Sequence, residues 1–134
     1  MRLEDKERRS LIAMAGQARD QAYAPYSNYQ VGAAVRTSNG RFFTGCNVEI
    51  AAYPSGTCAE CVAVFKAVSE GEREFDAIAV VTSNGGFPCG RCRQVLAEFG
   101  LDTIVLIADD QGHLLQETTV AALLPEAFTP RNLT

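Results

Sequence analysis

Four of the five cysteines in this chain fall into two C-x-x-C pairs, Cys58/Cys61 and Cys89/Cys92, and each pair opens a stretch patterned as a helix. Cys46 stands alone. A helix N-terminus presents unpaired N–H groups and a partial positive charge. Both lower the pKa of a thiol and favour the thiolate, the form that binds metal. Two such helix starts can converge on one ion, so the fold is constrained to bring them together. Met1 to Arg9 is charged and is followed by no apolar stretch of export-signal type. No apolar run is long enough to span a membrane. The expected setting is therefore soluble and cytoplasmic, where cysteines bind metals or catalyse rather than pair as disulfides.

The elements around these pairs follow from hydrophobic period and turn chemistry. Residues 4–22 are expected to form a helix, with Leu11, Ala15, Ala18 and Ala22 along one face. Residues 30–37 alternate as a strand, with Val31, Ala33 and Val35 to one side. Asn39-Gly40 predicts a tight hairpin with both central residues at positive φ, returning through Arg41 to Cys46. Pro54-Ser55-Gly56 breaks the chain before a helix that runs to about Ser69 and is closed by Gly71. An apolar strand covers Ala77 to Thr82, and Pro88 precedes a helix from Gly90 to Phe99. Thr103 to Ala108 is a buried strand, Asp109 to Gly112 a turn, Leu114 to Glu117 an edge strand and Val120 to Leu124 a short helix. Strands alternating with helices imply an α/β layered fold with a mixed sheet. With 134 residues, 47% of them hydrophobic, residues 1–134 are expected to form a single domain. The net charge of −4, with no basic cluster free of acids, argues against nucleic acid as partner.

Cys58, Cys89 and Cys92 are the candidate ligands of one zinc ion. His113, the single histidine, lies in neither motif, so the set must be all cysteine. Three protein ligands leave a fourth tetrahedral position open to water, the arrangement of catalytic zinc, and zinc lowers the pKa of such a water. Glu60, two residues after Cys58, can sit beside that position and move protons. C-x-E followed by P-C-x-x-C is the signature of zinc deaminases, recorded for the variant with histidine as first ligand. Other readings compete. Two C-x-x-C pairs also describe a structural four-cysteine zinc knot. Thr57-Cys58-Ala59-Glu60 fits a capping box, which would make Glu60 a cap. A C-x-x-C pair also serves thiol redox enzymes, and deaminase chemistry also edits bases within RNA or DNA.

Taken with their neighbours, these motifs resemble the small, homotetrameric, zinc-dependent cytidine deaminase family. Tyr26-Ser27-Asn28-Tyr29-Gln30-Val31-Gly32-Ala33-Ala34, Asn47-Val48-Glu49, Tyr53-Pro54, Cys58-Ala59-Glu60, Pro88-Cys89-Gly90-Arg91-Cys92-Arg93-Gln94 and Leu123-Leu124-Pro125-Glu126-Ala127-Phe128 carry the likeness, in order, from about residue 23 to 133. The resemblance implies a three-layer α/β/α sandwich on a mixed five-stranded sheet. It implies hydrolytic deamination of cytidine or deoxycytidine, in the setting of pyrimidine salvage, with zinc as cofactor. By the same resemblance Asn47 and Glu49 bind the ribose, Tyr29 packs on the pyrimidine, and Ala59 belongs to the substrate-binding set. Tyr53 and Phe128 match positions that reach a neighbouring subunit's site.

Three departures bear on substrate. Cys61 stands where the family usually has arginine after the catalytic glutamate. Arg91 stands where many members have alanine, and Ile50 where asparagine is usual. Zinc with three thiolates carries a net charge of −1, which a nearby cation would temper. The expectation is that Arg91 donates hydrogen bonds to the metal thiolates, with Cys61 a small buried thiol. The Gly90-Arg91 pattern also resembles blasticidin S deaminases, which act on a modified cytosine nucleoside.

Overall fold

Alternating small and β-branched residues place the first hairpin at the edge of the sheet. In the computed structural model, which describes residues 2–134, β1 (Gly32–Thr37) pairs antiparallel with β2 (Phe42–Cys46). The other edge of β1 pairs antiparallel with β3 (Phe75–Val81). β3 pairs in parallel with β4 (Ile104–Ala108), and β4 antiparallel with β5 (Leu114–Thr119). The result is a mixed five-stranded sheet in the order β2-β1-β3-β4-β5. The parallel pair demands a crossover, which α3 (Gly90–Phe99) supplies.

Strand periodicity divides the core between two faces. Ala33, Val35, Ile78, Val80, Val105 and Ile107 pack against α2 (Ala59–Ser69) and α3. Ala34, Ala77, Ala79, Val81, Leu106 and Ala108 pack against α1 (Asp5–Arg19), which contributes Leu11, Ile12 and Ala15. This is the three-layer α/β/α arrangement expected from the sequence. Two glycines permit its thinness. A Cβ on Gly32 would overlap the α1 backbone at Ala15, and one on Gly45 would overlap the α2 backbone at Ala59 and Ala63. The strands therefore touch the helices backbone to backbone.

Several local expectations shift. α1 ends at Arg19, and residues 20–22 continue as hydrogen-bonded turns, so Ala18 and Ala22 are only half-buried while Ile12 joins the core. The Asn39-Gly40 connection is not the turn with two positive φ values. Only Gly40 has positive φ, and Thr37 closes a three-residue loop by bonding Arg41 through both its backbone and its hydroxyl. The Thr37 hydroxyl also reaches Asn39 Oδ1 at 2.5 Å, an alternative that outweighs the local preference of Asn-Gly. His113 precedes β5 and pairs with Asp109. A helical turn at Pro130–Leu133 was not foreseen. A short α4 (Val120–Leu123) follows β5.

β3 and β4 end on the same side of the sheet, and α2 and α3 both begin there. That is the usual position of ligand sites in open α/β sheets.

Candidate active site

Cys58 is the N-cap of α2, Cys89 is the N-cap of α3, and Cys92 lies in the first turn of α3. Neither N-cap side chain bonds its own helix, so the sulfurs are free to face each other. The three Sγ atoms lie within 4.8 Å of one another, and those of Cys58 and Cys89 are 3.8 Å apart. Two thiolates on a tetrahedral zinc, each with a bond of about 2.3 Å, are separated by roughly 3.8 Å. The donor set thus fits zinc in both chemistry and spacing. Cys61 stands outside this group. It is fully buried, with its Sγ 3.8 Å from that of Cys92, so a four-cysteine knot is not assembled. Cys46 is half-buried.

The Cys58 thiol is drawn down to about 6. The main cause is the hydrogen bond from Cys92; Cys89 and the charge of Arg91 add to it, and burial opposes it. Cys92 is pushed up because it donates to Cys58 and Cys61 and is buried. Arg91 donates from Nη1 to Cys61 Sγ at 3.7 Å. Its hydrogen bond therefore goes to the buried fourth cysteine, and its charge reaches Cys58 only through space.

Glu60 is the second residue of α2 and is 5% exposed. Thr57 is not the N-cap, so the capping box does not form and Glu60 has no part in the cap. Burial raises its carboxyl to about 7, and the negative charge of Cys58 adds to the rise. Its own backbone N–H and Cys92 pull the other way. A carboxyl of this kind can hold or release a proton near neutral pH.

Glu60, Cys58, Cys89 and Ala59 line a cavity of about 270 Å³, together with Tyr29, Asn47 and Glu49. Asn47 accepts from the Val31 N–H and donates Nδ2 to the Tyr29 carbonyl. Glu49 accepts the Tyr26 and Ser27 N–H groups on one oxygen and the Ser27 hydroxyl on the other. The Ser27 hydroxyl is the main reason that this carboxyl sits below its ordinary range. Both side chains thus shape the 26–31 segment. One amide N–H of Asn47 and one carboxylate lone pair of Glu49 remain for a ligand. Tyr53, 74% exposed, lines an outer groove with Asn47, Glu49, Ile50 and Cys58. Phe128 lines neither cavity; its carbonyl is held by Gln94 Nε2, and the residue is 55% exposed.

Sequence reasoning missed Thr82, Gly86 and Phe87 as cavity walls, because Thr82-Ser83-Asn84-Gly85-Gly86 reads only as a turn. It also assigned nothing to Arg93, which ties Pro88 to Leu123 through their carbonyls.

A three-layer α/β/α sheet whose two helix starts bring three thiols and a buried glutamate to one cavity is the architecture of the zinc-dependent deaminases. The chain matches the family model described as the cytidine and deoxycytidylate deaminase zinc-binding region over residues 5–108. It is 49% identical to a cytidine deaminase of Halalkalibacterium halodurans over 130 residues, covering 95% of this chain and 98% of that protein. It is 48% identical to a cytidine deaminase of Sporosarcina psychrophila over 125 residues, covering 92% of each. Among solved structures, the cytidine deaminase from Burkholderia pseudomallei superposes with a TM-score of 0.85 at 45% identity, covering 94% of this chain and all of that one. The chain belongs to the cytidine deaminase family.

Proposed function

We propose that the protein hydrolyses the 4-amino group of cytidine or deoxycytidine, releasing ammonia and leaving the uracil nucleoside. The observation that carries this reading is a buried carboxyl, Glu60, that lines one cavity with Cys58 and Cys89 of a three-thiol cluster. Cys58, Cys89 and Cys92 hold the zinc, which supplies a Lewis acid and a water of lowered pKa. Glu60 takes a proton from the attacking water and delivers it to ring N3, then moves the proton of the new C4 hydroxyl to the amine, which leaves as ammonia as the C4–N bond breaks and the C4 carbonyl forms. Tyr29 covers the pyrimidine, and Ala59, buried at the start of α2, backs it. The spare N–H of Asn47 and the spare lone pair of Glu49 form a donor beside an acceptor, which suits a sugar hydroxyl. Arg91 offsets the excess thiolate charge from behind Cys61.

Residues 1–134 act as one domain in a cytoplasmic homotetramer, with Tyr53 and Phe128 completing a neighbour's site. The exposure of both rings supports that assembly. Among the described residues, no helix is long and apolar enough to cross a membrane.

The test is loss of the cytosine chromophore on incubating the zinc-loaded protein with cytidine, deoxycytidine and blasticidin S, beside a Glu60→Gln control. Turnover of the first two by the wild type alone is expected. Turnover of blasticidin S alone would transfer the reading to a modified nucleoside.

A further inference from the structure

The loop from β3 to α3 carries Cys89 and one wall of the cavity, yet Gly85-Gly86 at its centre leaves it little intrinsic stiffness. What restrains it is a set of hydrogen bonds that begins across the cavity. The Tyr29 hydroxyl donates to Asn84 Oδ1 at 2.8 Å. The Thr82 hydroxyl makes a longer approach to the same oxygen, at 3.4 Å, and accepts the Gly86 N–H at 2.8 Å. Thr82 is 2% exposed at the end of β3 and so offers a fixed anchor. Gly86 has no room for a side chain, because a Cβ there would overlap the Tyr29 hydroxyl. The turn is therefore folded around that oxygen. A phenylalanine at position 29 would present the same ring to the cavity without the bond to Asn84 that ties the loop across it.

We infer that the Tyr29 hydroxyl, Asn84 and Thr82 form a latch that holds the β3–α3 loop against the 26–31 segment and so sets the width of the slot for the base. This rests on the deaminase reading for the identity of the base, though not for the latch. Tyr29 keeps its place against the substrate. Asn84 and Thr82 are positioning residues, since Asn84 lies outside the cavity lining and acts through Tyr29 and the loop. Releasing the latch frees the 84–87 stretch and lets the slot widen, while Glu60 stays on α2 and Cys89 stays at the start of α3, where Arg93 holds the preceding Pro88 carbonyl. Binding of the flat ring then weakens more than its turnover does, and the penalty against bulkier rings falls.

The test compares wild type, Tyr29→Phe, Asn84→Ala, the double variant and Asn84→Asp, which keeps an acceptor oxygen. Each is assayed on cytidine and on 5-methylcytidine, and amide hydrogen exchange is followed at Gly86. Tyr29→Phe and Asn84→Ala should each raise KM for cytidine roughly two- to tenfold, the range of one hydrogen bond, with kcat within about twofold of wild type. The preference for cytidine over 5-methylcytidine should shrink, and Gly86 should exchange faster. The double variant should be no worse than either single one, as expected for one coupled unit, and Asn84→Asp should stay near wild type. Unchanged KM and Gly86 exchange in Tyr29→Phe, or additive losses in the double variant, would overturn the latch. A wild type inactive on cytidine would overturn the deaminase reading instead, and Gly86 exchange alone would then decide the latch.

Discussion

Glu60 owes its proton affinity to burial and to the neighbouring Cys58, and both effects are measurable. Replacing it with Gln keeps the shape and removes the carboxyl. Turnover should fall by about a hundredfold or more, the usual worth of an acid–base group, while zinc content stays at one ion per chain. In protein stripped of zinc by chelation, the raised pKa has a stability consequence. The folded state keeps the Glu60 proton up to about pH 7, whereas the unfolded chain releases it near 4.5. Between those values the folded state binds more protons, so stability falls as pH rises and then levels off above 7. The loss attributable to Glu60 is about 3 kcal/mol. Urea unfolding of the stripped wild type and Glu60→Gln at pH 4.5 and 7.5 should show it as the difference between the two proteins; parallel pH curves would refute the assignment. Cys61 gives a second residue-scale test. Its sulfur lies outside the three-thiol group, so Cys61→Ala should still bind one zinc per chain, whereas Cys92→Ala should not. Metal analysis that found Cys61→Ala empty would make the fourth sulfur a ligand after all.

The glycines between strand and helix carry the argument at the level of elements. Gly45 touches the backbone of α2, which has Cys58 as its N-cap and Glu60 in its first turn, and Gly32 touches α1 on the opposite face. Alanine at either position wedges two backbones apart, and overpacking of this kind costs about 1–3 kcal/mol. The consequences should differ. Gly45→Ala should also weaken zinc binding, because the displaced helix carries Cys58, one of the three proposed ligands. Gly32→Ala should lower the unfolding midpoint and leave zinc affinity in the folded protein near wild type. Equal zinc affinities in the two variants would mean that α2 is not placed through Gly45. The same elements show what the sequence could reveal. Pro88 and Cys89 mark the start of α3 because proline suits the entry to a helix and cannot continue one. The convergence of Cys58, Cys89 and Cys92 was legible for that reason, and the two core faces because Ala33 and Val35 alternate with Ala34. The Asn39-Gly40 turn was misjudged because a side chain from outside the dipeptide, Thr37, decides its geometry. The restraint on the β3–α3 loop was invisible for a similar reason: Tyr29 and Asn84 are far apart in sequence, and neither residue type announces the other.

At the scale of the whole molecule, one chain leaves its site open. Tyr53 borders the outer groove and is largely exposed, and Phe128 stands exposed with its carbonyl bonded by Gln94. An exposed aromatic gains free energy when it is covered, and in the homotetramer proposed above another copy of the same chain would cover it. If Phe128 completes a neighbour's site, Phe128→Ala should lose activity while retaining zinc and an intact Glu60. Glu60→Gln should lose activity while retaining Phe128. Each variant then holds what the other lacks. Mixed in equal amounts and allowed to exchange subunits, the two should regain activity, because a Phe128→Ala subunit supplies the glutamate and a Glu60→Gln subunit supplies the ring. Random mixing places both intact groups at about one quarter of the sites, and light scattering should report tetramers before and after. Activity that stays at the level of the separate variants, in a mixture shown to have exchanged subunits, would confine each site to a single chain.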